Sequence, residues 1–162
     1  MSEMGKRRVA DSQVTMSQLM GPQQANTLGN VHGGVIMHLC DEAAGMSAVR
    51  YSRRPSVTVA VDSMTFTSPV HIGNLVTVTA KVSWVGRTSM EVEVLVAAED
   101  VLSGDVTYTN TAYFVYVSLD DEGKPMPAPR PIYETSEEKD MAARAEKRRA
   151  LRLQLRKDEE AI

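Results

Sequence analysis

The segment NVHGGVIMHLCDEAAGMSAVRYSRR, residues 30–54, decides the fold. Within it, small and apolar side chains recur with a period of about 3.6 residues, which places them on one side of an α-helix. The residues of this stripe are Ile36, Leu39, Cys40, Ala43, Ala44 and Ser47. A long helix whose stripe carries no charge suits burial, so we predict one central helix that packs into the core.

After this helix, apolar and polar residues alternate with a period of two, the pattern of strands that bury one face. Val57, Val59 and Val61 share one parity and are expected to face the core. Met64 and Phe66 continue on the opposite parity. We therefore expect a bulge or bend near residues 62 and 63, which would keep both sets facing inward.

Three further strands follow with the same alternation. Their alternating residues span 76–84, 90–98 and 106–116, and a weaker strand is predicted near 14–20. Trp84, Val106 and Tyr108 fall on the parity assigned to the core. Because short turns join the later strands, their pairing is expected to be antiparallel. The order of elements predicts an α+β fold in which a curled antiparallel sheet wraps around one long helix.

Beyond this body, the chain changes composition. Prolines at 125, 127, 129 and 131 separate it from residues 137–160, which are densely charged with both signs and are typical of a solvated helix. We divide the chain into an N-terminal tail, 1–11, a folded domain, 12–130, and a C-terminal charged helical extension, 131–162.

Overall composition excludes several classes of protein. With 162 residues, 43% of them hydrophobic and 24% charged, the chain is expected to be globular. The net charge of −3 gives no field that would collect nucleic acid or anionic lipid, so we expect neither as a partner. No apolar run is long enough to span a membrane, and the charged start lacks the apolar core of a signal peptide. With a single cysteine, Cys40, a cytoplasmic protein is expected.

One acidic residue stands out on the helix. Asp41 lies about 120° around the axis from the apolar stripe, near the angle of Gly34, Gly45 and Ala48. Glycines at a helix start leave backbone N–H groups open to an anion or a polarised carbonyl oxygen. A carboxylate two turns further on can act on water or on an acyl carbon held there. The alternative is an ordinary solvated acid beside a close-packing surface.

The glycine turn and the acid together form a motif. It reads N-x-x-G-x-x-x-G-G, with an acid seven residues after the last glycine, and is filled by Asn26, Gly29, Gly33, Gly34 and Asp41. This pattern resembles the hotdog-fold acyl-CoA thioesterases, specifically the cytosolic, brain-type acyl-CoA hydrolases. Segments at 59–73 and 131–133 are similar to that branch as well, so the resemblance covers about residues 12–157.

The resemblance implies a hotdog fold and hydrolysis of a fatty acyl-CoA, of medium to long chain, to free fatty acid and CoA. Asp41 would be the catalytic carboxylate, and Asn26 would be supplied by the partner subunit. The Gly33 and Gly34 amides would polarise the thioester carbonyl. No cofactor is implied, since CoA is part of the substrate and the product. The implied assembly is a homodimer that builds a trimer of dimers.

The same resemblance assigns a CoA-binding turn. It consists of Gly86, Arg87, Thr88 and Ser89, where Arg87 would pair with a phosphate of CoA. No metal site is expected, because the chain has no cluster of His, Cys and acidic residues at ligand spacing. His32 is expected to cap the helix or to pack, and Cys40 to act as a small buried hydrophobe.

Two other functions stay open from the sequence. A phenylacetyl-CoA type of thioesterase, which acts on aromatic thioesters, has a similar glycine turn, although the C-terminal extension argues against it. A non-catalytic hotdog module that binds acyl-CoA is the second alternative, and the presence of both Asn26 and Asp41 argues against that.

Overall fold

The central helix, α1, spans Gly33–Ser52 in the computed structural model, which describes residues 5–160. At its start, the backbone N–H of Gly34 donates to Nδ1 of His32, and at its end Arg53 adopts a left-handed conformation with φ of 57°. All residues of the predicted apolar stripe are buried. The central helix is therefore confirmed, with His32 as its cap.

A five-stranded antiparallel sheet packs on α1. Its strands are β2 (Val14–Leu19), β3 (Ser56–Phe66), β4 (Leu75–Val85), β5 (Ser89–Asp100) and β6 (Asp105–Ser118). They lie side by side in the order β2-β4-β5-β6-β3. All five contact α1, and alternate residues of β4 and β5 on this inner face are fully buried. The α+β architecture with a sheet wrapped around one helix is confirmed.

Strand β3 departs from the predicted parity. Val57, Val59 and Val61 were expected to face the core, but each is 45–54% exposed. The pairing of β3 with β6 shifts register twice, once after Thr58 and once after Val61. The second shift lies where a bulge was predicted, but it does not bury both sets, because Phe66, also assigned to the core, is 52% exposed. The first shift was missed. Because β3 is an edge strand, it can carry two bulges without disrupting the rest of the sheet.

Three other residues assigned to the core face lie elsewhere. Trp84 follows a register shift after Val82 and contacts Arg149 on the outer side of the sheet. Val106 and Tyr108 are exposed, since the β5–β6 pairing also shifts near the start of β6. In each case a bulge changes which face a side chain occupies, and strict alternation cannot reveal it.

Segments near the two ends of the domain pair with each other. Strand β1 (Lys6–Arg8) pairs in parallel with β7 (Arg130–Ile132), and Val9 is completely buried. Residues 6–11 of the predicted N-terminal tail are thus structured and pack against the domain. Residues 1–4 of that tail and 161–162 of the predicted extension lie outside the described residues.

The charged C-terminal helix is present as α2, Ser136–Glu160. Thr135 and Glu138 cap its start: the Glu138 N–H donates to Thr135 Oγ1, and Glu138 Oε2 accepts from the Glu134 N–H. Met141 and Ala145 are buried against the outer face of the sheet. Among the described residues, no helix combines the length and apolar character needed to cross a membrane.

Three ion pairs connect α2 with the sheet, and one of them joins Glu138 to Lys81 of β4 at 3.8 Å. Arg148 donates two hydrogen bonds to Glu91 of β5, at 2.7 and 3.2 Å, and Arg152 pairs with Asp62 of β3. Glu91 is only 1% exposed and also accepts from Ser83 Oγ at 2.7 Å. The helix predicted to be solvated is therefore anchored on one side through a buried carboxylate, that of Glu91.

Candidate active site

Asp41 lies in the third turn of α1 with its carboxylate directed at the sheet. One oxygen, Oδ1, accepts hydrogen bonds from Thr58 Oγ1 at 2.8 Å and from the Tyr116 hydroxyl at 2.7 Å. No hydrogen bond from within residues 5–160 reaches Oδ2. Since Asp41 is exposed, the carboxylate has one oxygen held by the protein and one open to a ligand.

Tyr116 approaches Asp41 from β6. Its side chain is 2% exposed, and its hydroxyl lies 2.8 Å from the Asp41 backbone carbonyl oxygen as well as close to Oδ1. The ring lies against Gly45, where an added Cβ would be 3.6 Å from the hydroxyl oxygen. Burial, reinforced by the neighbouring Asp41 carboxylate, raises the pKa of Tyr116. The hydroxyl therefore stays protonated and keeps its capacity to donate.

Asp41 borders an open cleft of about 510 Å³ between α1 and β3. Thr58 and Tyr116 line it beside Asp41, and Met46, Val49 and Arg53 line it toward the C-terminal end of the helix. The cleft thus combines an oriented carboxylate with a short apolar wall, Met46 and Val49, and with the charged side chains of Glu42, Arg50 and Arg53. This lining suits a ligand that has both polar and apolar parts.

The two glycine amides at the helix start are not equivalent. The Gly34 N–H donates to His32 Nδ1 at 2.9 Å and is occupied by the protein itself. The Gly33 N–H has no acceptor within the part of the chain that the structure describes. Because His32 Nδ1 accepts, the imidazole proton sits on Nε2. In this state, Gly33 is the amide that remains available to a ligand.

Asn26 lies in the loop before the helix, in a different cleft. Its Oδ1 accepts from the backbone N–H groups of Leu28 and Asn30, at 2.9 and 3.2 Å. Its cleft, of about 280 Å³, also includes Gly33 and Phe66 but not Asp41. A single chain therefore does not bring the two predicted site residues Asn26 and Asp41 into one cleft.

Residues 86–89 form the tight turn between β4 and β5. The Gly86 N–H donates to the Ser89 carbonyl at 2.8 Å, and the carbonyls of Arg87 and Thr88 accept from Ala128 and Ser118. A Cβ on Gly86 would lie 2.5 Å from the Trp84 ring, so any other residue here would displace that ring. The Arg87 side chain is exposed, and no acidic residue among those described pairs with it.

Other nucleophile or metal chemistry finds little support in the described chain. Cys40 is buried, and burial raises the pKa of its thiol to about 12, so the reactive thiolate is scarce near neutral pH. No group of three or more His, Cys, Asp or Glu residues between positions 5 and 160 is arranged to hold a metal ion.

Thr58 and Tyr116 were not identified from the sequence. Thr58 stands among valines in β3 on the parity assigned to solvent, and Tyr116 was assigned to the core. A signal was available for Tyr116, since a buried tyrosine hydroxyl requires a hydrogen-bond partner. Asp41, on the helix that the sheet covers, was a candidate for that partner.

Comparison with known proteins groups the chain with thioesterases. Residues 28–104 match the model of the thioesterase superfamily. The chain is 37% identical over 128 residues to a Bacillus subtilis protein named as an uncharacterized acyl-CoA thioester hydrolase, covering 79% of this chain and 74% of that one. It is 40% identical over 133 residues to the cytosolic acyl coenzyme A thioester hydrolase of Mus musculus. That match covers 81% of this chain and 35% of the mouse protein, so the chain spans about a third of the mammalian relative.

Solved structures agree with this grouping. An acyl-CoA hydrolase from Staphylococcus aureus, solved with butyryl-CoA and CoA, superposes with a TM-score of 0.89 at 29% identity, covering 96% of this chain and 95% of that chain. Structures of its Ala variants at one Asn, one Asp and one Thr are similar too. A hexameric acyl-CoA thioesterase matches with a TM-score of 0.89 at 32% identity, covering 93% and 96% of the two chains.

Proposed function

The chain belongs to the thioesterase superfamily and has its hotdog fold, and from this membership we propose that it hydrolyses acyl-CoA thioesters to a free acid and CoA. One observation carries the proposal: an exposed carboxylate, Asp41, has one oxygen fixed by two hydroxyl donors and faces a cleft with an apolar wall. The B. subtilis and mouse relatives, both named for acyl-CoA thioester hydrolysis, support the same activity.

We assign the catalytic role to Asp41. A carboxylate with a free oxygen can remove a proton from water that attacks the thioester carbon and displaces the CoA thiolate. Alternatively, it can attack that carbon itself, forming a mixed anhydride as the CoA thiolate leaves, and water then hydrolyses the anhydride to the free acid. The carbonyl oxygen, which gains negative charge in either case, is stabilised by a backbone N–H at the helix start. The free Gly33 amide suits this role. Gly34 can join it when its N–H leaves the His32 imidazole.

Asn26 is assigned to the same active site, contributed by the partner subunit. In one chain it occupies a cleft apart from Asp41, and its side-chain NH2 donates to no acceptor among the described residues. A twofold dimer would bring two such pairs together. The variants of the S. aureus enzyme support the grouping: its replaced Asn, Asp and Thr are 15 and 17 residues apart, as are Asn26, Asp41 and Thr58.

The substrate proposed is a fatty acyl-CoA of medium to long chain. The apolar wall formed by Met46 and Val49 supports an aliphatic acyl group. The turn of residues 86–89 would meet CoA, with the exposed Arg87 pairing with a phosphate. No cofactor is required, because water is the only other reactant. We further propose a trimer of dimers in the cytoplasm, supported by the hexameric and cytosolic relatives.

The activity is tested by a hydrolysis screen over acyl-CoA chain lengths, with free CoA detected as thiol and phenylacetyl-CoA included. Asp41→Asn preserves shape and removes charge, so we expect kcat to fall by about 10²–10⁴-fold with the fold intact. Asp121→Asn, the same change at an exposed position, is the matched control. Wild-type turnover in Asp41→Asn would exclude Asp41 as the catalytic group, and preference for phenylacetyl-CoA would favour the aromatic alternative.

The composite site is tested by mixing variants. Asn26→Ala and Asp41→Ala are each expected to be nearly inactive. A mixed dimer, however, has one site with both residues intact and one site with neither residue. If subunits exchange at random, about half of the dimers are mixed, so roughly a quarter of wild-type activity should return. Mass spectrometry confirms the exchange. Recovery no greater than the sum of the two variants would place both residues in one chain.

A further inference from the structure

We propose that Tyr116 is the positioning residue of the active site: it fixes Oδ1 of Asp41 and thereby makes Oδ2 the oxygen that reacts. This inference rests on the proposed hydrolase function and adds to it a residue that acts through Asp41. A positioning role differs from a structural role in the core, because it depends on the hydroxyl of Tyr116 and not on the packing of its ring.

The geometry fixes the carboxylate relative to the helix. The Tyr116 hydroxyl lies 2.7 Å from Asp41 Oδ1 and 2.8 Å from the Asp41 backbone carbonyl oxygen. One phenol therefore bridges the side chain and the main chain of the same residue. This double contact restrains rotation of the carboxylate about its side-chain bonds, so Oδ2 keeps one direction.

Burial determines how Tyr116 acts. Tyr116 lines the cleft but is only 2% exposed, and its ring packs against Gly45. It stands on β6, an interior strand between β5 and β3. Thr58, the second donor to Oδ1, is exposed and belongs to the bulged edge strand β3. Tyr116 is thus the donor whose position the core fixes.

The raised pKa of Tyr116 supports the same role, since the hydroxyl remains protonated throughout the neutral range. A hydrogen bond from a buried neutral donor to a carboxylate is one of the stronger kinds in proteins. Removal of the hydroxyl leaves Oδ1 with Thr58 alone and allows Asp41 to rotate. We expect kcat to fall by about 10- to 100-fold, the usual range for loss of a hydrogen bond to a charged group.

The experiment compares Tyr116→Phe with Tyr51→Phe. Tyr51 is also buried, and its hydroxyl donates to the carbonyl of Pro129 at 3.1 Å, away from Asp41. Both changes remove one buried hydroxyl and keep the ring. We expect kcat to fall only in Tyr116→Phe, with KM within about twofold of wild type, because a positioning effect acts on the chemical step. Melting temperatures of the two variants should be similar.

A second measurement separates this inference from the proposed function. The crystal structure of Tyr116→Phe without ligand should have the Asp41 carboxylate rotated or in two conformers. If the wild type hydrolyses no acyl-CoA, the hydrolase proposal fails, and this structure alone decides the role of Tyr116. Wild-type kcat in Tyr116→Phe, equal losses in both variants, or an unmoved Asp41 carboxylate would each overturn the inference.

Discussion

Replacement of Arg148 by alanine should be among the most destabilising changes on the surface of this protein. The guanidinium donates two hydrogen bonds to Glu91, at 2.7 and 3.2 Å, and stacks 3.6 Å from the centroid of the Tyr113 ring. Without it, the Glu91 carboxylate, 1% exposed, keeps only the Ser83 hydroxyl as a partner. Loss of one member of a buried ion pair costs about 3–5 kcal/mol of unfolding free energy.

The neighbouring residue provides a matched control. Arg149 pairs with Glu146 at 3.5 Å, both side chains being exposed, and lies 5.0 Å from the Trp84 ring. An exposed pair contributes about 0–1 kcal/mol and an exposed cation–π contact about 0.5–1 kcal/mol. Arg149→Ala should therefore cost less than about 2 kcal/mol, although it removes the same side chain from the same helix.

The reverse change tests the explanation. Glu91→Gln removes the buried charge and leaves Arg148, whose side chain is 20% exposed and can turn toward water. We expect a loss of about 1–2 kcal/mol, smaller than that of Arg148→Ala. Unfolding in guanidinium chloride, at one fixed protein concentration, measures all three variants. If Arg148→Ala costs no more than Arg149→Ala, the carboxylate is not buried as described, and the reasoning fails.

Two further predictions concern the ligand and the free cysteine. Arg87→Ala should raise KM for acyl-CoA about tenfold, equivalent to about 1.4 kcal/mol, with little change in kcat, because a phosphate contact stabilises ground and transition states alike; equal KM values for variant and wild type would exclude the turn as a CoA site. The pKa of about 12 for Cys40 predicts no labelling by a thiol reagent at pH 8 until denaturant is added. The neutral thiol supports folding below about pH 9, and that support is lost as pH rises toward 12; rapid labelling of the native protein would contradict the burial of Cys40.

Features that depend on burial of one face could be predicted from the sequence. The stripe from Ile36 to Ser47 identified α1, because a helix in a core must be apolar along one side. The alternation in β4 and β5 likewise identified inner-face residues such as Val78 and Val94. The signal failed in β3, where Val57, before both bulges, and Val61, between them, are each 45% exposed. An edge strand has no neighbouring strand on one side, so alternation there does not ensure burial.

The hydrogen-bond partners of Asp41 could not be predicted in this way. Tyr116 lies 75 residues after Asp41 in the sequence, and Thr58 lies 17 residues after Asp41. Both residues contact Asp41 across the boundary between the helix and the sheet. Local patterns carry no information about which strand position lies opposite a given helix turn. The same holds for Glu91, which looks like an exposed acid in an alternating strand until α2 covers it.

The parallel pairing of β1 with β7 affects how the chain folds as it is made. Its partners, such as Lys6 and Arg130, are more than 120 residues apart, whereas the central sheet needs only residues 14–118. Synthesis proceeds from the N-terminus, so β1 leaves the ribosome before the other strands and cannot pair until β7 has been synthesised. The sheet can close around α1 before β7 appears. Pairing of β1 with β7 and docking of α2 should then follow the closure of the sheet around α1.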